Sequence, residues 1–268
     1  MQLAVGVGQI RKEQLENPLS RNFELLTQAG RMHEIVQSQG EQPQPAAPSA
    51  EDTVPSTPLL NMSGAVRDEM SRLAQNLFLQ PQGPRRVVFC GAESGSGCTW
   101  MCAHVADVLA TQGRGSVCIV DCNLRSPGLH QQFGMENHHG LSDALLGSNS
   151  IRGYAHRLSR NLWILSCGSA AEVGLTMLGS DRMRSRLTEL RMAFDYVLID
   201  APPLNACNDA VILGGLSDGV VLTLKANSSR RETAKKAVQE LAAANVRTLG
   251  AVLNQRTFPV PPALYKRL

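Results

Sequence analysis

Residues 90–100 read Cys90-Gly91-Ala92-Glu93-Ser94-Gly95-Ser96-Gly97-Cys98-Thr99-Trp100, set between the apolar run RVVFC (86–90) and a helical pattern over residues 99–111. A glycine-rich turn joining a strand to a helix lets successive backbone N–H groups curl around an anion, with the positive end of the helix behind them. Against G-x-x-x-x-G-K-[ST], Ala92 takes the first glycine place, Gly97 the second, Cys98 the lysine place and Thr99 the hydroxyl that would ligate Mg2+. The lysine is missing. Alone, the turn reads equally well as a tight βα connection, so the surrounding chain has to decide.

The surrounding chain repeats the same grammar. Apolar runs at residues 117–121 (VCIVD), 162–166 (LWILS), 196–200 (YVLID), 220–224 (VVLTL) and 248–253 (TLGAVL) are short, continuous and rich in Val, Ile and Leu, as strands buried on both faces are. Helical stretches at 66–79, 182–192 and 230–244 fall in the gaps. The alternation predicts a doubly wound α/β domain, a mostly parallel sheet flanked by helices, over residues 59–256. Ahead of it, residues 37–58 carry five prolines among Gln, Ser and Ala, a composition that predicts a linker. Residues 1–36 form an appendage in which Leu19, Phe23 and Leu26 suggest one short amphipathic helix, docking either on a partner or on its own domain. Residues 257–268 are read as a tail.

Composition excludes several classes. With 268 residues, 43% hydrophobic and 18% charged, the chain can bury a core, and a net charge of +3 demands no nucleic-acid or anionic-membrane partner. Seven cysteines form no CxxC pair and are read as free thiols of a reducing compartment, with a zinc or redox site at Cys98, Cys102 and Cys122 the minor alternative. The start, MQLAVGVGQIRKEQ, has no basic stretch ahead of its apolar run, and no window of about 18 apolar residues occurs, so a cytoplasmic protein without direct membrane insertion is expected. Of 26 basic residues only five are lysines, and none falls between Lys12 and Lys225.

Two more strand ends carry carboxylates. Asp121 and Asn123 (VCIVDCN) fall on one side of an extended chain and are placed to face one metal, or else close an Asx-turn. Asp200 ends YVLID, the Walker B pattern, in which a carboxylate holds a Mg2+ water or orients an attacking one. At the helix N-terminus the Cys98 thiol is expected to have a lowered pKa. Arg182, Arg184, Arg186 and Arg191 read as a solvated helix face, His138 and His139 as a solvated loop, and Trp100 either as a cover for a nucleotide or as helix packing.

The order of the loop, the strand ending D-x-N-L-R-S-P-G-L-H, GLSDALLG at 140–147, NLWIL at 161–165, FDYVLIDAPP at 194–203, Asp209, LSDGVVL at 216–222 and RRET at 230–233 resembles the bacterial tyrosine kinases of capsule and exopolysaccharide synthesis. These share a P-loop NTPase superfamily with the partitioning and septum-site ATPases. The resemblance implies ATP and Mg2+ as cofactors, with Glu93, Ser94, Gly95, Ser96, Gly97, Cys98, Thr99 and Trp100 around the phosphates. It implies Thr99, Asp121, Asn123 and Asp200 as the Mg2+ and catalytic group, and Arg125 is expected to supply charge in place of the missing lysine. It also implies a membrane polysaccharide co-polymerase or export protein as partner, which would hold the chain at the periphery of the inner membrane. The family's ring-forming helix carries E-x-x-R-x-x-R; here Glu69 and Arg72 match and Gln75 departs, leaving a homo-oligomer as the expectation. Its C-terminal tyrosine cluster is reduced to one phosphoacceptor candidate, Tyr265, while Tyr196 is expected to pack in its strand. Cys98 for Lys and Asn123 for the second Asp of D-x-D both remove charge from the site. The extra loop lysine of the partitioning relatives is absent too, Glu93 and Ser94 standing there.

Overall fold

The chain divides into two compact units, Met1–Asp52 and Thr53–Leu268. A computed structural model describes residues 59–112 and 115–256, all in the second unit. The appendage with its Leu19, Phe23 and Leu26 helix, the linker and the tail with Tyr265 lie outside the described residues.

Seven strands form one sheet: β1 (Arg86–Gly91), β2 (Val117–Asp121), β3 (His156–Arg157), β4 (Leu162–Leu165), β5 (Tyr196–Asp200), β6 (Gly219–Lys225) and β7 (Thr248–Asn254). Their order is β3-β4-β2-β5-β1-β6-β7, parallel except for the β3–β4 pair. The apolar runs become strands because alternate side chains each find a core. Val88 and Cys90 of β1, Cys118 and Val120 of β2, and Val197 and Ile199 of β5 join one buried cluster. Their neighbours Val87 and Phe89, Val117 and Ile119, and Leu198 join the other, on the opposite face.

On the second face α1 (Gly64–Phe78) lies over α2 (Cys98–Gln112), which is why α2 is buried from Met101 through Ala110 without an exposed stripe. Asp107 is buried within it, its carboxylate accepting the amides of Leu59 and Leu60 (3.0 and 2.9 Å) and so tying down the start of the described chain. The first face is covered by α4 (Leu141–Leu146), α6 (Asp181–Ala193), α7 (Asp209–Gly215) and α8 (Arg231–Ala243). Two further short helices are α3 (Leu129–Gln132) and α5 (Ala171–Met177), and a 3-10 turn spans Ile151–Tyr154. The strands and the four long helices fall where the sequence pattern puts them, to within two residues. The pieces it does not reveal, β3, α3, α4, α5 and α7, are two to seven residues long, too short for a helical or strand period to register.

Arg186 corrects the solvated-face reading. It is buried, donating to the carbonyls of Ala144 (2.8 Å), Asn149 (2.8 Å) and Gly147 (2.7 Å) and to Glu189 (2.7 Å). Arg182 donates to the carbonyls of Leu145 and Gly147. Together they satisfy the open carbonyl end of α4 and bring positive charge to its negative pole. Arg184, by contrast, stays exposed. Tyr196 packs edge-on against Phe78 with ring centroids 5.8 Å apart, as a strand residue should.

Arg186→Ala should therefore cost about 3 kcal/mol in chemical denaturation, because the Ala144 and Asn149 carbonyls lose this donor while the Gly147 carbonyl is left with Arg182 and Glu189 with the Ile151 amide, whereas Arg184→Ala should stay within about 0.5 kcal/mol.

Candidate functional site

The phosphate-loop candidate leaves the carboxyl end of β1, the strand flanked by β5 and β6, and enters α2 at Cys98. Gly95 and Gly97 both have φ of 77°, the left-handed region that suits glycine, and a Cβ on Gly97 would collide with the Asn254 side chain. The loop is held from behind through its carbonyls. Asn254 Nδ2 donates to Ser96 O (2.9 Å) and Gln255 Nε2 to Gly95 O (3.3 Å), while Ala92 N donates to Thr223 O (3.1 Å). No backbone carbonyl of the described residues receives the amides of residues 93–97, so these donors are left for an anion. Glu93 accepts a hydrogen bond from the Ser229 hydroxyl, which pins the loop to the segment before α8. Ser94 and Gly95 form the exposed tip, and Ser96 is buried.

The carboxylates meet at the ends of β2 and β5, whose register pairs Asp121 with Asp200. Asp200 is fully buried; Oδ2 accepts from Thr99 Oγ1 at 2.7 Å, and Oδ1 has no hydrogen-bond partner. Burial, then the neighbouring Asp121 charge, push its pKa up to about 8, against the smaller opposing pull of the Thr99 and Cys98 side chains. Asp121 is also raised by burial, and the amides of Leu129, Asn123 and Gly128 pull the other way. Those amides occupy both its oxygens: Asn123 N (3.1 Å) on Oδ1, Gly128 N (3.2 Å) and Leu129 N (3.0 Å) on Oδ2. Asp121 thus makes the Asx-turn that the sequence left open, and it holds the first turn of α3. Asn123 is half-buried in that turn.

A hydroxyl and a buried carboxylate oxygen that has no hydrogen-bond partner are the hard oxygen donors that Mg2+ takes, so Thr99 and Asp200 fit the cation that would accompany ATP. Asp121 pairs with Asp200 in the strand register, but both its oxygens are already taken by amides, and Asn123 carries no charge.

Cys98 is half-buried in the first turn of α2. The expected acidification fails: burial first, and the Asp200 charge next, raise its thiol well above the ordinary value, outweighing any help from the helix end. Position 98 is therefore neutral. The seven cysteines are free thiols, and no group of three or more His, Cys, Asp or Glu side chains that could hold a metal occurs among the described residues. Arg125 donates from Nε to Asp209 Oδ2 at 3.0 Å, linking the loop after β2 to the first turn of α7. Trp100 stacks on His104, centroids 3.9 Å apart, and packs against the second core, which favours the packing role. His138 and His139 are exposed as expected. Tyr265 lies outside the described residues.

Thr223, Ser229, Asn254 and Gln255 also shape the site, yet carry no motif. What would have identified them is the strand order: β6 and β7 follow β1 in the sheet, so their carboxyl ends line the loop.

Residues 85–241 match the family described as Cellulose biosynthesis protein BcsQ. The chain is 33% identical over 171 residues to Tyrosine-protein kinase YwqD of Bacillus subtilis, covering 63% of this chain and 72% of that protein. It is 28% identical over 169 residues to Tyrosine-protein kinase etk of Escherichia coli, covering 63% of this chain but only 23% of that longer protein. Among solved structures the VpsO kinase domain superposes with a TM-score of 0.64 at 25% identity, over 72% of this chain and 98% of that one.

The raised Asp200 carboxyl gives a signed expectation. Between its ordinary value of 3.8 and about 8 the folded protein keeps a proton that the unfolded chain releases, so stability falls as pH rises through that window and levels off above it. Asp200→Asn should melt above wild type at pH 8, with the gap closing toward pH 5 in thermal unfolding followed by circular dichroism. A gap independent of pH would show that the carboxyl is not held neutral.

Proposed function

Because the chain belongs to the bacterial tyrosine-kinase family of P-loop proteins, we propose that it is a catalytically weakened, ATP-binding member that serves exopolysaccharide or capsule synthesis. The observation that carries this reading is the pairing of an intact Thr99–Asp200 contact with a neutral thiol at position 98. ATP would be held by the loop amides of residues 93–98 and the positive end of α2, with Thr99 and Asp200 toward Mg2+, which when bound would neutralise phosphate charge. Lysine at the β- and γ-phosphates would add a charge-assisted bond worth about 1.5–3 kcal/mol, and a neutral thiol adds none of it. In phosphoryl transfer, where charge gathers on the moving group, the deficit grows.

In this reading residues 59–256 form the nucleotide domain, residues 37–58 a linker, residues 1–36 an appendage and residues 257–268 a tail offering Tyr265 as acceptor. The protein works in the cytoplasm beside a membrane polysaccharide co-polymerase or export protein, and self-association through α1 uses Glu69 and Arg72, which already pair on its surface at 3.1 Å. A second reading, a regulatory scaffold that transfers no phosphate, is favoured by the carboxylate oxygens of Asp121 being taken by amides and by Arg125 being held on Asp209. A positioning ATPase of the partitioning type is disfavoured by Glu93 and Ser94 where its lysine would stand.

Calorimetric titration of Mg-ATP separates the readings. Wild type should bind weakly and Cys98→Lys roughly 10- to 100-fold more tightly, with slow phosphotyrosine formation at Tyr265 in wild type and faster formation in the variant. No binding by either protein would remove the ATP-binding reading in favour of the scaffold.

A further inference from the structure

The gap in the lysines ends beside the phosphate loop. Lys225, the first lysine after Lys12, closes β6, the strand that pairs with β1 on the side away from β5. In that pairing Gly91, the last residue of β1, lies opposite Thr223, so Lys225 stands two residues further on, about 6–7 Å past the point where the loop begins. Its neighbour on β7 is Asn254, whose Nδ2 donates to Ser96 O (2.9 Å) and Gly97 O (3.4 Å). The pleat decides which way the two side chains leave the sheet. Val221 and Val252 pack in the core beneath α2, and Lys225 and Asn254 stand four and two residues after them, in step, whereas Leu224 packs on the opposite face. Lys225 and Asn254 therefore project together on the face from which the loop and α2 rise. One hydroxyl fastens the arrangement: Ser229 Oγ accepts the Lys225 amide (2.9 Å) and donates to the Glu93 carboxylate. Lys225 is half-buried, and none of the ion pairs among the described residues uses it.

We propose that Lys225 supplies the loop with the ammonium that position 98 lacks, binding the phosphates of a nucleoside di- or triphosphate from the β6 side. Arg125, the sequence candidate for that charge, is instead held on Asp209 (3.0 Å), and Arg230 and Arg231 are exposed at the start of α8, which covers the face opposite α2. A lysine suits the task because its ammonium is a compact charge on a flexible stem, and charge-assisted hydrogen bonds to phosphate are among the stronger ones a side chain makes. The placement also limits what it can do. With β1 between them, Lys225 and Asp200 stand on opposite sides of the loop. Lys225 thus adds charge to the phosphates nearest β6 and leaves the Thr99–Asp200 side, toward which Mg2+ would sit, without a lysine. Holding a nucleotide and activating it are served by different positions. This role rests on the ATP-binding reading above, and the titration that tests it tells the two apart.

Calorimetric titration of the full chain with Mg-ATP and with Mg-ADP, in wild type, Lys225→Met, Lys225→Arg and Lys235→Met, measures the contribution. Lys225→Met should weaken both nucleotides by about 10-fold and by the same factor, because the γ-phosphate is not the one it holds. Lys225→Arg should keep most of the affinity, and Lys235→Met, which removes an exposed charge of α8, should leave it unchanged. Where wild type binds too weakly to titrate, the same comparison is made in Cys98→Lys; if Lys225→Met does not fold, Lys225→Gln decides. Wild-type binding with an unchanged Kd in Lys225→Met would overturn the role of Lys225 and leave the ATP-binding reading standing. An equal loss in Lys235→Met, or a loss confined to ATP, would overturn that role too. Binding by neither wild type nor Cys98→Lys would remove the reading and the role of Lys225 with it.

Discussion

The carboxyl of Asp200 is buried between a second carboxylate and a neutral thiol, with the Thr99 hydroxyl on one oxygen and nothing on the other. β5 delivers Asp200 next to Asp121 because parallel pairing aligns their strand ends, and α2 delivers Cys98 and Thr99 above it because the glycine loop turns the chain sharply after β1. A cation belongs in such a place. The chain supplies none from position 98, and burial together with the Asp121 charge keeps a proton on Asp200.

That proton links fold to function. Buried charge is expensive, and a neutral Asp200 lets the β1–β5–β6 core close without a counterion. In the function proposed above, the same arrangement would work against phosphoryl transfer, because Asp200 would first have to lose its proton to face Mg2+ and the phosphates would meet no lysine at position 98. Loop geometry, in contrast, is intact: its carbonyls are tied back by Asn254 and Gln255, and among the described residues no backbone carbonyl takes the amides of residues 93–97. These two facts together are what support the proposed reading of a domain that holds phosphate with little power to transfer it.

The fold was legible in the sequence because the strands are continuous apolar runs that must be covered on both faces, and the loop could be placed because its glycines stand between a strand and a helix. The partners of that loop were not legible: Thr223, Asn254 and Gln255 reach it only through the order β1-β6-β7, which a single sequence does not state. Arg186 was misread because a charged residue at helical spacing gives no sign that the carbonyl end of α4 lies under it. Cys98 was misjudged for a related reason. The helix-end rule lowers a thiol pKa, but burial beside Asp200 outweighs it, and burial is a property of the packed sheet.

The most direct test of the account is the titration of Asp200 itself, followed through the 13C resonance of its side-chain carboxyl in nucleotide-free protein. The account predicts a midpoint near 8 in wild type, and in Cys98→Lys a fall of several units toward the ordinary carboxylate range as the ammonium pairs with it. A wild-type midpoint near 4, unmoved by the substitution, would contradict the claim that the missing lysine governs this site.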